Sequence, residues 1–468
     1  MTSAPPASGV LLPLHSAAAA APGSVARFGA KAARLAAAVQ AGLPVLPGWV
    51  VPVSAGRAAL TAGVAAVRGR GMAAGRRAVL QQPVPPPLAA ELRAAAGELG
   101  GRVIVRSSSP LESDPRWAGA FSSVAEVAVA DVVTAVRSCW AAAFAVDPLE
   151  RLAASGLELE ALELGLVIQP ELVPDAGGTA RADAEGVAVA GVAGHPGALL
   201  AGWADGAQAR VRLAGTAASA AVISDGGLTG LLGGELIVAV ARLAELARRE
   251  IGDDVIEWAA AGGRVWLLQS LRGVAGRGQP GSGPAGLDGA ARAAPASPAG
   301  TPGGAAQRQP DAVSAADPAD PRLAAAAAAL WAPGGGRLAS RQWMPLLAAV
   351  TQTQGQQVPA RPAAPGVAAG RLVCCRPHER PAEGSRDAVL LIERPVPALA
   401  PLLFGARGVI ARTGAAASHL AEVARSLGVP MVTGCRLEAV TGPASGDQRW
   451  IAAIDGAAGT VAVLPGSG

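Results

Sequence analysis

One histidine at a predicted helix start, a single lysine, and an acidic and an amide side chain on neighbouring predicted strands are the groups whose types and spacing can do phosphate chemistry. His419 lies in RTGAAASHLAEVARSLGVPMVTG, Arg412 to Gly434. The apolar run Gly408 to Ala411 before it reads as a short strand, and Leu420, Val423, Ala424 and Leu427 fall on one helical face. Ser418 is the predicted N-cap, and Gly428 and Pro430 end the helix. His419 then occupies a first turn, where unpaired backbone N–H groups and the positive end of the dipole favour a phosphoryl group. An isolated histidine is most often a satisfied interior residue. The flanking strand, cap and helix stop argue here for a phosphate acceptor.

Two further placements carry chemistry. Lys31 is the only lysine in a chain whose other strong cations are all arginines. A compact ammonium aimed at phosphate oxygens is a task that a guanidinium does not replace, whereas a chance survivor on a solvated face is the plainer alternative. Near residue 260, VIEW and RVWLLQ flank Ala261-Gly262-Gly263 and predict a β-hairpin with Glu257 and Gln269 pointing inward from neighbouring strands. Two such oxygen ligands, shared with the phosphates of a nucleotide, suit a hard cation such as Mg²⁺.

The elements that must position these groups are also legible. Ser24 to Pro52 predicts a helix that begins near Lys31, ends at Gly42 and Pro44, and leads into a strand-like GWVVP. Gly101 to Val124, GRVIVRSSSPLESDPRWAGAFSSV, is an apolar strand running into an arginine, serines and a glycine-bearing loop. Leu162 to Asp183 predicts a buried strand with Gln169 near its end, a turn over Pro174 to Gly178, and a return strand.

These segments together resemble the phosphoenolpyruvate synthase, pyruvate phosphate dikinase and rifampin phosphotransferase family. The histidine segment is similar to its phosphohistidine motif, with Ala415 in place of the second glycine and Leu420 after the histidine. GAK at residues 29–31 followed by GLPVLPG resembles its nucleotide-domain opening, with Ala30 replacing a glycine. The resemblance implies that Arg106 binds nucleotide phosphates bidentately and that Glu112 belongs to the same site. It further implies that Ala118-Gly119 with Ser122 and Ser123 form the phosphate-covering loop. Gln169 is implied to lie near the nucleotide, and Glu257 and Gln269 to hold the metal. Leu271 stands at the family's usual arginine position, so Arg272, one residue later, is the expected phosphate ligand. The segment around His195 departs from the family's Trp-Gly-Leu-Gly-Glu stretch, and His195 reads as an ordinary loop histidine.

Composition bounds the remaining possibilities. The 468 residues suffice for two to four domains. Hydrophobic residues make up 51% but aromatics only 3%, and the absence of tyrosine and asparagine beside abundant Ala, Gly, Pro and Arg reads as GC-rich codon bias. Arginines are interspersed with acids, so the net charge of +4 predicts neither nucleic-acid nor membrane binding. Four cysteines without metal or disulfide spacing, together with an N-terminus lacking a basic leader and no run of about 18 strongly apolar residues, predict a cytoplasmic location.

The expected fold class is multidomain α+β and α/β. Residues 1–272 are expected to form an ATP-grasp nucleotide-binding domain. Residues 273–321, rich in Pro, Gly and Ala, are expected to be a flexible linker, and 322–361 a short helical segment. About 50 flexible residues reach roughly 40 Å, enough for a domain to swing between two sites. Residues 362–468 are expected to be a compact swivelling β/α phosphohistidine domain, leaving no space between the modules for a phosphoenolpyruvate barrel of about 250 residues. The implied activity is a dikinase-type transfer from ATP, with Mg²⁺, through His419 to an unidentified small-molecule or protein-presented acceptor. The competing class is a degenerate ATP-binding regulatory or phosphocarrier module, favoured by Ala30, Ala415 and Leu271.

Overall fold

The computed structural model describes residues 10–213, 220–273, 356–375, 387–437 and 450–465. The expected linker beyond Gly273 lies outside the described residues, as does the expected helical segment 322–361 as far as residue 355; its last residues are not helical, because Gln356–Pro359 is a strand paired with Thr460–Pro465. Three sheets organise the rest.

The first sheet is antiparallel, in the order Leu12–Pro13, Trp49–Val51, Gly165–Pro170, Arg102–Ser108, Val124–Ala128. Alternation along Arg102–Ser108 divides its side chains. Val103 and Val105 enter a core with Val136, Cys139 and Trp140 of the helix Val132–Ala142, while Ile104 and Arg106 face the opposite side. Ile104 pairs with Gln169 on the neighbouring strand, so Gln169 shares the face that carries Arg106.

That face is closed at one end by the helix Ala30–Gln40. Gly29, at φ 83°, breaks it from the preceding helix Ser24–Phe28, and a Cβ there would fall 1.9 Å from the Ser108 carbonyl oxygen. The approach is sealed by Ala30 N–H donating to Ser109 O at 3.0 Å and Ala32 N–H donating to Ser108 Oγ at 2.9 Å. Lys31 is thereby held in the first turn, against the exit of the arginine-bearing strand.

The second sheet is antiparallel in the order Arg264–Leu271, Val255–Ala261, Ala176–Asp183, Gly186–Ala193, Ala207–Leu213, Ala220–Gly226. The helix Gly234–Ile251 covers one face through Ile237, Val240 and Ala244, which pack with Ile256, Trp258 and Ala260. Glu257 alternates to the other face. The hairpin turn is the two residues Gly262 and Gly263, both left-handed at φ 56° and 74°, as a tight two-residue connection requires.

One expectation is corrected here. Gly165–Pro170 and Ala176–Asp183 belong to different sheets, and Gly177 and Gly178 lie within the second strand rather than in a turn. Close packing explains both glycines: a Cβ would fall 2.5 Å from Pro196 Cδ at Gly177 and 1.9 Å from Ala190 O at Gly178. Residues 171–175 therefore cross from one sheet to the other instead of closing a hairpin.

The third sheet has eight strands, in the order Gln356–Pro359, Thr460–Pro465, Trp450–Asp455, Val367–Cys375, Val389–Ile392, Gly408–Ala411, Met431–Thr433, Arg361–Ala364. Its middle is parallel from Val367–Cys375 through Met431–Thr433. The helix His419–Leu427 is the crossover between the last two parallel strands, and Leu420, Val423 and Ala424 bury its apolar face against Leu390, Val409 and Met431. Cys374 is exposed and Cys375 buried, on opposite faces of their strand.

The stretch Val129–Ala154 is long and apolar enough to cross a membrane by composition. In the fold it is not one span. It divides into Val132–Ala142 and Val146–Ala154, which bury Trp140, Leu149 and Leu152 in the first core.

Candidate functional site

The cleft between the first two sheets gathers Lys31, Arg106, Glu112, Gln169, Glu257 and Gln269, and His419 lines the same cavity. Lys31 Nζ donates to Ser107 O at 2.8 Å and to Glu112 Oε1 at 3.3 Å. Glu112 also accepts from Ser109 N–H at 2.8 Å, completing a capping box at the 3₁₀ turn Pro110–Ser113. One carboxylate thus fixes both the lysine and the turn after the arginine strand.

Arg106 is buried and donates to Gln169 Oε1 at 3.1 Å and to the Leu268 carbonyl at 2.6 Å, joining the two sheets across the cleft. Burial lowers its pKa, opposed by the charges of Glu257 and Glu112. Gln169 donates in turn to Leu46 O at 3.0 Å, which orients its amide.

Glu257 and Gln269 are direct register partners at a point where the strand pairing shifts between Glu257 and Trp258. Both are buried at the cavity wall. A carboxylate and an amide oxygen side by side fit a hard cation, and among the described residues no cluster of three or more His, Cys, Asp or Glu side chains could hold a metal. A cation here would complete its coordination with phosphate and water oxygens.

His419 opens its helix. The Ser418 side chain caps it, accepting from Ala421 N–H at 3.3 Å, and Gly428 ends it in a left-handed conformation. Burial lowers the imidazole pKa below its ordinary value. Glu257 opposes that shift, and Arg151 and Lys31 reinforce it. The neutral ring, whose lone pair can attack phosphorus, is favoured near neutral pH.

Gly119, left-handed at φ 67°, packs on this ring from the loop after the arginine strand. Buried Trp117, stacked with Phe121 at 5.9 Å, anchors that loop. Arg151 holds it from behind with all five donors engaged. It bonds Asp147 twice, the carbonyls of Arg116 and Ala118, and Pro397 O of the third-sheet unit. Nothing in its spacing distinguishes Arg151 beyond an ordinary i, i+4 pair with Asp147.

Lys31, Arg106, Glu112, Gln169, Glu257, Gln269 and His419 are brought to this cavity as predicted, but not Arg272. Its guanidinium donates to Gly252 O at 3.1 Å, and it lines a separate cleft with Arg34 and Asp253. The cause is local: the strand Arg264–Leu271 ends before residue 272, and Leu271 is buried. Of the two loop serines, Ser123 lines the cavity and Ser122 does not. His195, read from the sequence as an ordinary loop residue, also lines it. The signal that would have revealed His195 is tertiary, because residues 194–206 fold back over the strand carrying Gly177.

Residues 25–193 match the family described as pyruvate phosphate dikinase, AMP/ATP-binding domain, and residues 384–459 match the mobile domain of the PEP-utilising enzymes. The chain belongs to the phosphoenolpyruvate synthase, pyruvate phosphate dikinase and rifampin phosphotransferase family. The two matched modules are those of ATP-dependent phosphotransfer through a phosphohistidine. No curated protein matches the chain. Among solved structures, the crystal structure of Thermococcus kodakaraensis aconitase X in its holo-form aligns with 24% of this chain and 99% of its own. Its identity is 17% and its TM-score 0.17.

Proposed function

We propose that the chain is an ATP-dependent phosphotransferase that moves the β-phosphoryl group of ATP to His419 and from there to an acceptor. The observation that carries this reading is the presence of the His419 imidazole, whose pKa burial lowers, in the same cavity as Lys31, Arg106 and Gln169. Lys31 and Arg106 neutralise the phosphate chain, and Gln169 positions the nucleotide. Glu257 and Gln269 hold Mg²⁺, which when bound screens the phosphate charge. Positioning and charge neutralisation supply most of the acceleration in phosphoryl transfer.

The stoichiometry is one ATP and one water consumed, with AMP and phosphate released and one phosphoryl retained on a ring nitrogen of His419. A ring proton leaves with the products. The phosphorylated unit then departs from the cleft and meets a small-molecule or protein-presented acceptor. Incubation with Mg²⁺ and ATP labelled in the β-phosphate tests this directly. Acid-labile label retained on the wild-type chain and absent from His419→Ala is the expected result, and acid-stable label or label retained in the variant overturns it.

A second reading is favoured by Leu271, which buries an apolar side chain at the family's arginine position, and by Arg272, which faces away. On that reading the chain binds ATP as a regulatory or phosphocarrier module without turnover. ATP affinity without AMP release would establish it.

A further inference from the structure

The segment from Gly194 to Asp205 joins two strands of the second sheet, Gly186–Ala193 and Ala207–Leu213. It is also where the chain departs from its family's sequence. Its first residues face the nucleotide cleft. His195 lines the cavity, and its Nδ1 accepts from Gly197 N–H at 3.3 Å. In the neutral ring that bond leaves the proton on Nε2, as a donor. Pro196 is seated against the bare backbone of Gly177, which braces the loop start on the sheet.

The later residues of the segment face the third-sheet unit. Leu199 is fully buried with Ala415, four residues before His419. Gly202, at φ 75°, admits Pro395: a Cβ there would fall 2.6 Å from the Pro395 carbonyl oxygen. The Trp203 carbonyl accepts from Arg394 Nη1 at 2.9 Å. Asp205 makes two contacts at once, accepting from Gly414 N–H at 2.7 Å on Oδ1 and pairing with Arg361 Nη2 at 2.8 Å on Oδ2. Gly414 and Ala415 begin the turn that delivers His419 to the cleft.

We infer that Gly194–Asp205 is the seat on which the phosphohistidine unit docks. Asp205 is the positioning residue that fixes the loop before His419, and His195 links the seat to the nucleotide in the cleft. The inference rests on the proposed transfer for its purpose and on contacts independent of that chemistry for its evidence. A seat of this kind suits reversible docking. Its apolar part is small, Leu199 against Ala415, and its polar part is a few charge-assisted hydrogen bonds that water can replace when the unit leaves. Its two ends are tied to strands, so a shift of His195 toward a bound nucleotide moves a short, braced segment rather than a free loop.

Amide hydrogen exchange of the peptide 412–418, with and without a saturating non-hydrolysable ATP analogue, tests the seat without requiring turnover. In the wild type the analogue is expected to increase protection of the Gly414 amide. In Asp205→Ala that amide is expected to exchange at least tenfold faster, with analogue affinity within about twofold of wild type. Asp205→Asn, which keeps an oxygen for Gly414, restores most of the protection. Equal protection in Asp205→Ala overturns the inference, as does a parallel collapse of nucleotide affinity, which would make the segment part of the nucleotide unit's own fold. In His195→Ala, protection without nucleotide is expected to match wild type while the nucleotide-induced increment disappears, and a persisting increment refutes the link. Absence of label on wild-type His419 would refute the proposed transfer and leave the exchange result standing on its own.

Discussion

Gly119 lies flat against the His419 ring: a Cβ at residue 119 would fall 2.6 Å from Cδ2 of the imidazole. The two residues belong to different matched modules, so this contact joins the module that carries His419 to the one that lines the cleft.

Gly119→Ala introduces both a clash with the ring and a side chain at φ 67°. The conformational strain alone costs about 1 kcal/mol, and the methyl displaces the imidazole from the geometry needed for attack. The rate of label transfer to His419 is expected to fall at least tenfold while ATP affinity changes less than threefold. Rapid-quench labelling and equilibrium nucleotide binding separate the two quantities. Unchanged transfer would show that the loop does not set the ring's position.

Lys31 offers a test that few chains allow. Apart from the α-amino group it is the only amine, and it is buried between Ser107 O and Glu112. Lys31→Arg must fit a larger planar group into that niche and is expected not to restore function. Nucleotide affinity should fall at least tenfold in both Lys31→Arg and Lys31→Met, measured by calorimetric titration. Bound ATP should protect Lys31 from amine-reactive reagents. Full modification with unchanged affinity would remove Lys31 from the phosphate site.

The contrast between Lys31 and Arg151 shows what a linear sequence discloses. Lys31 and Glu257 are legible from local pattern, a helix start with a lone lysine and a hairpin register, whereas Arg106 stands at an ordinary strand exit and only the family resemblance marks it out. Arg151 and His195 are not legible, because their roles depend on carbonyls and cavities contributed by residues 33 to 246 positions away. The hairpin expected over Pro174 to Gly178 failed for a related reason. Paired glycines signal close backbone approach as readily as a turn, and only the neighbouring strand and Pro196 decide between them. Arg272 is expected at the phosphates only through the family resemblance, one residue past the usual arginine position, and the end of its strand turns it toward Gly252.

Acid should loosen the docked arrangement at Glu422. Burial pushes its carboxyl up, but Arg425 and Arg181 outweigh burial and hold it at about 2 against an ordinary 4.5. Arg181 belongs to the second sheet and reaches Glu422 at 2.5 Å, so the pair ties the phosphohistidine helix to the nucleotide module. A depressed carboxyl pKa gives stability that is fully present above pH 4.5 and is lost as pH falls through about 2. Wild type should therefore lose more stability between pH 5 and pH 2.5 than Glu422→Gln, read as the shift in urea midpoint. Identical pH dependence in the two proteins would show that the carboxylate contributes nothing to the docked state.

The metal assignment makes the sharpest distinction between binding a nucleotide and binding its magnesium complex. Glu257 and Gln269 face one another across paired strands, and Glu257 is also opposite Thr179 on its other side, so its side chain is fixed by register on both edges. Replacing the carboxylate by its amide removes one negative charge without changing shape. Glu257→Gln should leave ATP affinity in excess EDTA within about threefold of wild type, because Lys31, Arg106 and Gln169 are untouched. The gain in affinity and in label transfer on adding Mg²⁺ should shrink at least tenfold. Gln269→Glu adds a second carboxylate beside the first. Like charges at this spacing repel unless a cation lies between them, so this variant should bind metal-free ATP more weakly than wild type and recover on adding Mg²⁺. Titrations of each variant over a range of MgCl₂ concentrations give both effects. If Glu257→Gln retains the full magnesium response, or if Gln269→Glu is indifferent to the metal, the pair does not hold the cation.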